Sequence, residues 1–314
     1  MKASSSEKWI VMMVLALAIV LPAWLYPVLL AQLACMALFA CSLNLLFGYA
    51  GLLSFGHAAF FGIAAYATGY MMKEWSLTPE IALIASVLLV MGVAFLSGSL
   101  AIRRKGIYFS MITLALSQLV YFILVAAPFR NNEDGYQGVP RGAFLGVVDL
   151  ADNHVLYYYV LAVVVLVWWG VYRVIESPYG EVLRAIKDNE QRVVSLGYNV
   201  NRYKVLAFTL SAGVAAVAGS LKTVIFGLAS LPDVSWHLST DGVIMMILGG
   251  IGSIIGPVFG ATIMVLVQHA LAGELDALVP VIMGVIFVVC VLAFRGGVVL
   301  QLQTLVQRLA RRFA

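Results

Sequence analysis

The sequence predicts an all-α polytopic integral membrane protein, a single transmembrane domain over residues 1–314 with about eight to ten transmembrane or re-entrant helices. Three observations predict it. The 314 residues are 63% hydrophobic and 11% charged, with a mean hydropathy of +1.01, whereas a soluble domain is roughly half apolar and a quarter charged. Apolar windows of about 20 residues, the length an α-helix needs to cross ~30 Å of hydrocarbon, recur along nearly the whole chain. These windows are solidly apolar, where a β-barrel strand would alternate in short segments.

The first window, Trp9 to Leu30, has no small-x-small cleavage site before more membrane sequence, so it reads as a retained span rather than a signal peptide. Further apolar segments fall near 31–48, 51–71, 81–101, 107–127, 155–174, 205–227, 241–270 and 278–294. The loops between them orient the chain. Arg103, Arg104 and Lys105 form a basic knot, and the loop at about 175–204 is net basic with its neighbour Arg173. The segment Phe129 to Asp152 is net acidic. Positive loops stay inside, so the knot and the later loop read as cytoplasmic and the acidic segment as external. Lys2 and Lys8, and a basic tail at about 295–314 with Arg308, Arg311 and Arg312, place both termini inside as well.

A formal charge of +4 and a pI near 8.9 do not indicate nucleic acid, because the bases report topology instead of pooling into one stripe. Cys35, Cys41 and Cys290 lie in apolar segments without C-x-x-C spacing and read as packing residues. His57, His154, His237 and His269 are dispersed, and no metal, nucleophile or P-loop motif occurs. No cofactor, metal site or catalytic residue is expected. If the chain is driven by ATP, a partner hydrolyses it.

Two apolar segments are interrupted by glycine. Gly48-Tyr-Ala-Gly51 with Gly56 and His57, and Gly249, Gly250, Gly252, Gly256 with Pro257, are similar clusters in the first and last thirds of the chain. Paired discontinuities point to an inverted-repeat transporter whose unwound backbone lines a cavity near the midplane. Unwound backbone cannot face lipid, since each unsatisfied polar group there costs several kcal/mol. The same small residues also fit close helix packing, with Ser54, Ala58 and Gly62 spaced by four. His57 fits either a path-lining residue or a hydrogen bond to a neighbouring helix. The segment 241–270 needs an even number of passes, so it either crosses twice in short pieces or dips and returns.

Residues 177–197 read as one short amphipathic helix outside the bilayer. Ser177 caps it, Pro178 suits its first position and Gly197 stops it. Val182, Leu183, Ile186, Val193 and Leu196 fall mostly on one side, with Arg184, Lys187, Asp188, Gln191 and Arg192 on the other. The helix either rests on headgroups or enters a groove in another protein; mixed charge favours the groove.

The stretches SLNLLFGYAGLLSFGHAAFFGIAAY, RAIKDNEQRVVSLGYNVNRYKVLAFTLSAGVAAVAGSL and ILGGIGSIIGPVFGA resemble the signature blocks of the LivM branch of ATP-binding-cassette permeases, over about residues 30 to 295. The resemblance implies a permease subunit in a bacterial inner membrane, importing branched-chain amino acids by alternating access. It implies a LivH-like paralogous permease, two cytoplasmic ATP-binding subunits and a periplasmic solute-binding protein as partners. It also implies a coupling helix carrying Arg184, Ala185, Ile186, Asn189, Glu190, Leu196 and Gly197, with Lys187 on its polar face. Pathway candidates are Asn44, Ser54, His57 and Ser253, with the backbone at Gly51, Gly252 and Gly256. The outer loop keeps Asp134-Gly135 and Gly138-Val139-Pro140 but lacks the Thr-Gly-Gly that often precedes them, so urea, short amides and aromatic acids stay open as substrates. An ion-coupled carrier would bury a carboxylate in a span. Nearly every acid falls in a loop here, with Asp241 expected at an outer edge.

Overall fold

The computed structural model describes residues 5–126, 135–144, 146, 148–271 and the short pieces 281–282, 284–285 and 288–289. The expected basic tail, Lys2, Cys290, most of the 278–294 segment and residues 129–134 of the acidic loop lie outside the described residues.

Helix α1 (Ser5–Val20) runs into a 3-10 turn, Leu21–Ala23. Pro27 then opens α2 (Pro27–Leu43), which continues as a π-helical turn through Asn44–Tyr49. The first two spans therefore divide at Trp24–Tyr26 rather than at residue 30, because Pro22 and Pro27 lack the donors a continuous helix needs. Residues 51–56 are not helical, and α3 (His57–Glu74) starts six residues later than the apolar window at 51–71 suggests. Helices α4 (Pro79–Ala101), α5 (Ile107–Ala126) and α6 (Asn153–Ile175) fall within two residues of expectation. Asp152 caps α6 by accepting from the His154 N–H.

The region expected as one helix at 177–197 is two, α7 (Pro178–Asp188) and α8 (Glu190–Ser195). Helix α9 (Val200–Phe226) begins at Val200 because the Asn199 side chain accepts from Arg202 N–H. The broken segment resolves into α10 (Trp236–Gly249) and α11 (Gly256–Leu271), two short antiparallel helices. Two small two-stranded sheets cap one end: β1 (Tyr136–Gln137) with β4 (Leu228–Ala229), and β2 (Ala143–Phe144) with β3 (Val148–Asp149). The end carrying β1 and β4 is called upper below, and the end carrying α7 and α8 lower.

Among the described residues, five helices are long and apolar enough to cross a membrane, and the chain is a multi-pass membrane protein. Helix α9 is its axle. The α9 window is 83% buried, against 22% to 33% for α4, α5 and α6. The cause is its small side chains: Ala212, Ala215, Ala216, Ala218 and Gly219 let α2, α3 and α4 approach closely. With lipid as apolar as leucine, close packing and interhelical hydrogen bonds take over from the hydrophobic effect. Thr68 donates to Ser220 Oγ at 2.8 Å and pairs with Ser86 at 2.8 Å, while Thr223 donates to the Ala65 carbonyl at 3.1 Å.

Candidate functional site

The two glycine breaks meet. Gly252 N–H donates to Asn44 Oδ1 at 2.8 Å, Asn44 Nδ2 donates to the Ser253 carbonyl at 2.8 Å, and Tyr49 O–H donates to the Gly252 carbonyl at 2.8 Å. The π turn at 44–49 and the linker at 250–255 thus exchange the polar groups that each loses from its own helix. Glycine is needed at both sides. A Cβ on Gly48 would lie 3.0 Å from Gly252 N, and Gly252 itself has φ +78°, a left-handed backbone.

The lower segment is tied to this clasp. Lys187 Nζ donates to the Gly48 carbonyl at 2.7 Å, and its stem rests against Gly51, whose φ is +70°. The Arg184 guanidinium lies 5.3 Å from the Tyr49 ring centroid and also donates to Glu176 and the Ile175 carbonyl. The breaks therefore meet at the α7 end of the molecule, not midway along the helices as expected.

Several sequence expectations for this segment are corrected. Ser177 does not cap α7 with its hydroxyl, which donates to the Val174 carbonyl at 2.6 Å. One helix becomes two because Asn189 is extended, and its side chain caps α8 through Arg192 N–H. The apolar side chains Leu183, Ile186 and Val193 are buried against the chain's own helices rather than offered to a partner. Arg184 is half-buried, Lys187 is exposed while its ammonium reaches in to Gly48, and Glu190 bridges Lys105 and Lys204, each at 3.0 Å. The segment exposes Pro178, Glu181, Ala185, Lys187 and Asp188 on α7, Asn189, and Gln191, Arg192, Val194, Ser195, Leu196, Gly197 and Tyr198 along and after α8, with Leu196 70% exposed.

Glu190 links the α4–α5 turn, α8 and the start of α9. Burial raises its pKa, but hydrogen bonds and charge from Lys105 and Lys204 outweigh that and leave it below the ordinary 4.5. A carboxyl lowered on folding stabilises fully above its unfolded pKa and loses that contribution as pH falls through the folded value. Wild type is therefore expected to melt higher than Glu190→Gln in detergent at pH 7, with the gap closing as pH drops below about 4.5. A gap that persists unchanged at pH 3 would contradict the bridge.

His57 and Ser54 are fully buried. The His57 ring nitrogens lie 2.7 Å from Ser211 Oγ and 3.1 Å from Ser54 Oγ, and Ser211 donates to the Ser42 carbonyl at 2.6 Å. The histidine pins α3 to α9 and, through Ser211, to α2, so it does not line an open path in this conformation. Asn44 and Gly256 are likewise enclosed, whereas Gly51, Gly252 and Ser253 keep exposed surface.

Two charged features escaped the sequence. Lys222, near the upper end of α9, is buried with Asp233 at 2.5 Å, and Asp233 also accepts from Ser230 N–H and Oγ. A lone lysine late in an alanine-rich span was the available signal, since a buried charge demands a partner. Asp241 is not at an edge. Ser239 Oγ accepts from Ala58 N–H, and Gly242 packs on Phe39 and Leu43, which lie about 18–24 Å below the upper end of α2 at 1.5 Å per residue. Asp241 lies between them in α10, deep within the membrane span.

Residues 27–292 match the family model described as branched-chain amino acid transport system, permease component. The high-affinity branched-chain amino acid transport system permease protein LivM of Escherichia coli is 26% identical over 251 residues, covering 71% of this chain and 58% of that protein. The chain thus spans under two thirds of that relative's length. A probable LivM of Methanocaldococcus jannaschii is 27% identical, covering 72% of this chain and 75% of that protein. A solved inward-facing structure described as a metal-chelate type ABC transporter aligns over 84% of this chain and 86% of its own, at 15% identity and a TM-score of 0.48.

Proposed function

The chain belongs to the family of branched-chain amino acid transport system permease components, and from that premise we propose that it is a membrane subunit of an ATP-binding-cassette importer. It pairs with a LivH-like permease to enclose a path for branched-chain amino acids in a bacterial inner membrane. The lower end faces the cytoplasm, with both termini on that side, and receives one of two ATP-binding subunits. A periplasmic solute-binding protein meets the upper end, around β1 and β4.

One observation carries this reading: the exposed lower segment is connected by Lys187 to the clasp between the two breaks. An importer without its own ATP site needs a handle outside the membrane joined to a part inside that has two packings. Helices α7 and α8 supply the handle. The π turn and the 250–255 linker supply a junction where short helices can rock as rigid bodies. When the ATP-binding subunits close, α7 moves, Lys187 carries the π turn with it, and Asn44 carries α10 and α11.

Reconstitution tests the proposal. Vesicles holding the chain with its companion permease, both ATP-binding subunits and the binding protein should concentrate leucine only when ATP is hydrolysed. Uptake by this chain alone, driven by an ion gradient, would overturn it.

The handle also makes a prediction about docking. Ala185→Arg combined with Leu196→Asp alters only exposed positions, so the chain should still accumulate in the membrane. Co-purification of the ATP-binding subunit should fall at least about tenfold, as expected when a charge enters a packed interface centre. Retention of that subunit at wild-type levels would place the docking surface elsewhere.

A further inference from the structure

Helix α10 has one face that the described residues leave partly open. Ser239, Gly242, Val243, Met245 and Met246 are buried against neighbouring helices. Around the other side, Trp236 and His237 are exposed, Thr240, Asp241, Ile244 and Ile247 are half-buried, and Ile251 is exposed. Among the described residues no hydrogen bond or ion pair reaches the Asp241 carboxylate.

A part-exposed carboxylate at this depth cannot rest against acyl chains, where an ionised side chain costs roughly 2.5–3.5 kcal/mol even by the most lenient scale. Such groups face water-filled cavities or partners. The face is also graded: a carboxylate with a histidine one turn above it, and isoleucines below. Asp241 and Ile244 are three residues apart on one side of a helix, about 5–6 Å between Cβ atoms. That is the reach from the ammonium group to the methyls of a small aliphatic amino acid.

We propose that the open face of α10 is the wall of the solute path, where Asp241 pairs with the ammonium group of an α-amino acid and Ile244 and Ile247 receive its aliphatic side chain. This rests on the reading of the chain as half of an amino acid permease and names the surface that does the recognising. The glycine breaks then act as the hinge for that wall. The apolar stripe slides past aliphatic side chains without holding them, while a single carboxylate selects cationic amines and rejects acids without an amine.

The test uses the complete reconstituted complex and keeps two readouts apart. Ile244→Cys should react with a water-soluble, positively charged methanethiosulfonate, and excess leucine should slow the reaction; Met246→Cys, on the buried face, should not react. Asp241→Asn should lower leucine uptake about tenfold or more, the usual cost of losing a charge-assisted bond, while Asp241→Glu keeps most of it. If wild type transports but Ile244→Cys is inert, or Asp241→Asn transports normally, the proposal is wrong and the importer reading stands. If Asp241→Asn releases the companion permease instead, the face is a subunit interface and the proposal again fails. Leucine-protected labelling in a complex that shows no ATP-driven uptake would keep the wall and overturn the importer reading.

Discussion

Asn44→Leu is expected to abolish ATP-driven uptake while leaving the chain in the membrane. The leucine conserves volume but removes both hydrogen bonds that join the π turn to Gly252 and Ser253. Gly252 N–H and the Ser253 carbonyl would then lose their partners in a part-buried site, at about 1–3 kcal/mol each. The clasped arrangement is thus disfavoured by roughly 2–6 kcal/mol, enough for tenfold or greater loss of coupling at 1.4 kcal/mol per decade. Asn44→Asp keeps the acceptor for Gly252 N–H but cannot donate to Ser253, so its uptake should fall in between. The comparison to make is leucine uptake per molecule of chain in the vesicle. Uptake that only follows abundance would mean that Asn44 serves folding and not transmission.

Gly219→Leu should have the largest effect on stability. Among the described residues, helices α3 and α9 form the most extensive helix pair, and Gly219 is where their backbones approach. A Cβ there meets the Phe61 carbonyl carbon at 2.8 Å and its Cα at 3.0 Å, with the carbonyl oxygen nearer still. Backbone cannot swing aside as a side chain can, so the helices must separate. Separation would also stretch the neighbouring bonds from Thr68 to Ser220 and from Thr223 to Ala65. Overpacking commonly costs about 1–3 kcal/mol, and a backbone contact belongs at or above the top of that range. The variant should accumulate severalfold less and melt lower in detergent, with Gly219→Ala milder. A leucine variant with wild-type abundance and melting would show that the helices are not held at that crossing.

The parts of the fold that were legible are those whose cause is local. Helices α4, α5 and α6 fell within two residues because each is a continuous apolar run largely open to its surroundings, bounded by Pro79, the basic knot or the Asp152 cap. The start of α3 was not legible. Residues 51–56 are as apolar as the helix after them, and only the left-handed Gly51 and the buried Ser54 separate the two. Amphipathicity marked residues 177–197 as helical but not which side a partner would see, since the chain's own helices claim Leu183, Ile186 and Val193. Asp241 was misplaced because hydropathy counts along the chain, whereas α10 starts from a turn that packs at the level of Gly62, far below the upper end of α3.

By itself the sequence determined that this is a helical membrane chain, which loops carry which charge, that two segments are broken by glycine, and that a helical handle lies between them. Composition and local periodicity decide those things. Only the tertiary structure decided that the two breaks form one clasp, that Lys187 attaches the handle to it, and that the open face of α10 carries a deep carboxylate. The reason is physical. The clasp joins the Asn44 side chain to a backbone N–H and a carbonyl 208 and 209 residues away, groups that any non-proline residue possesses, so nothing at 252 and 253 names Asn44 as their partner until the helices are packed.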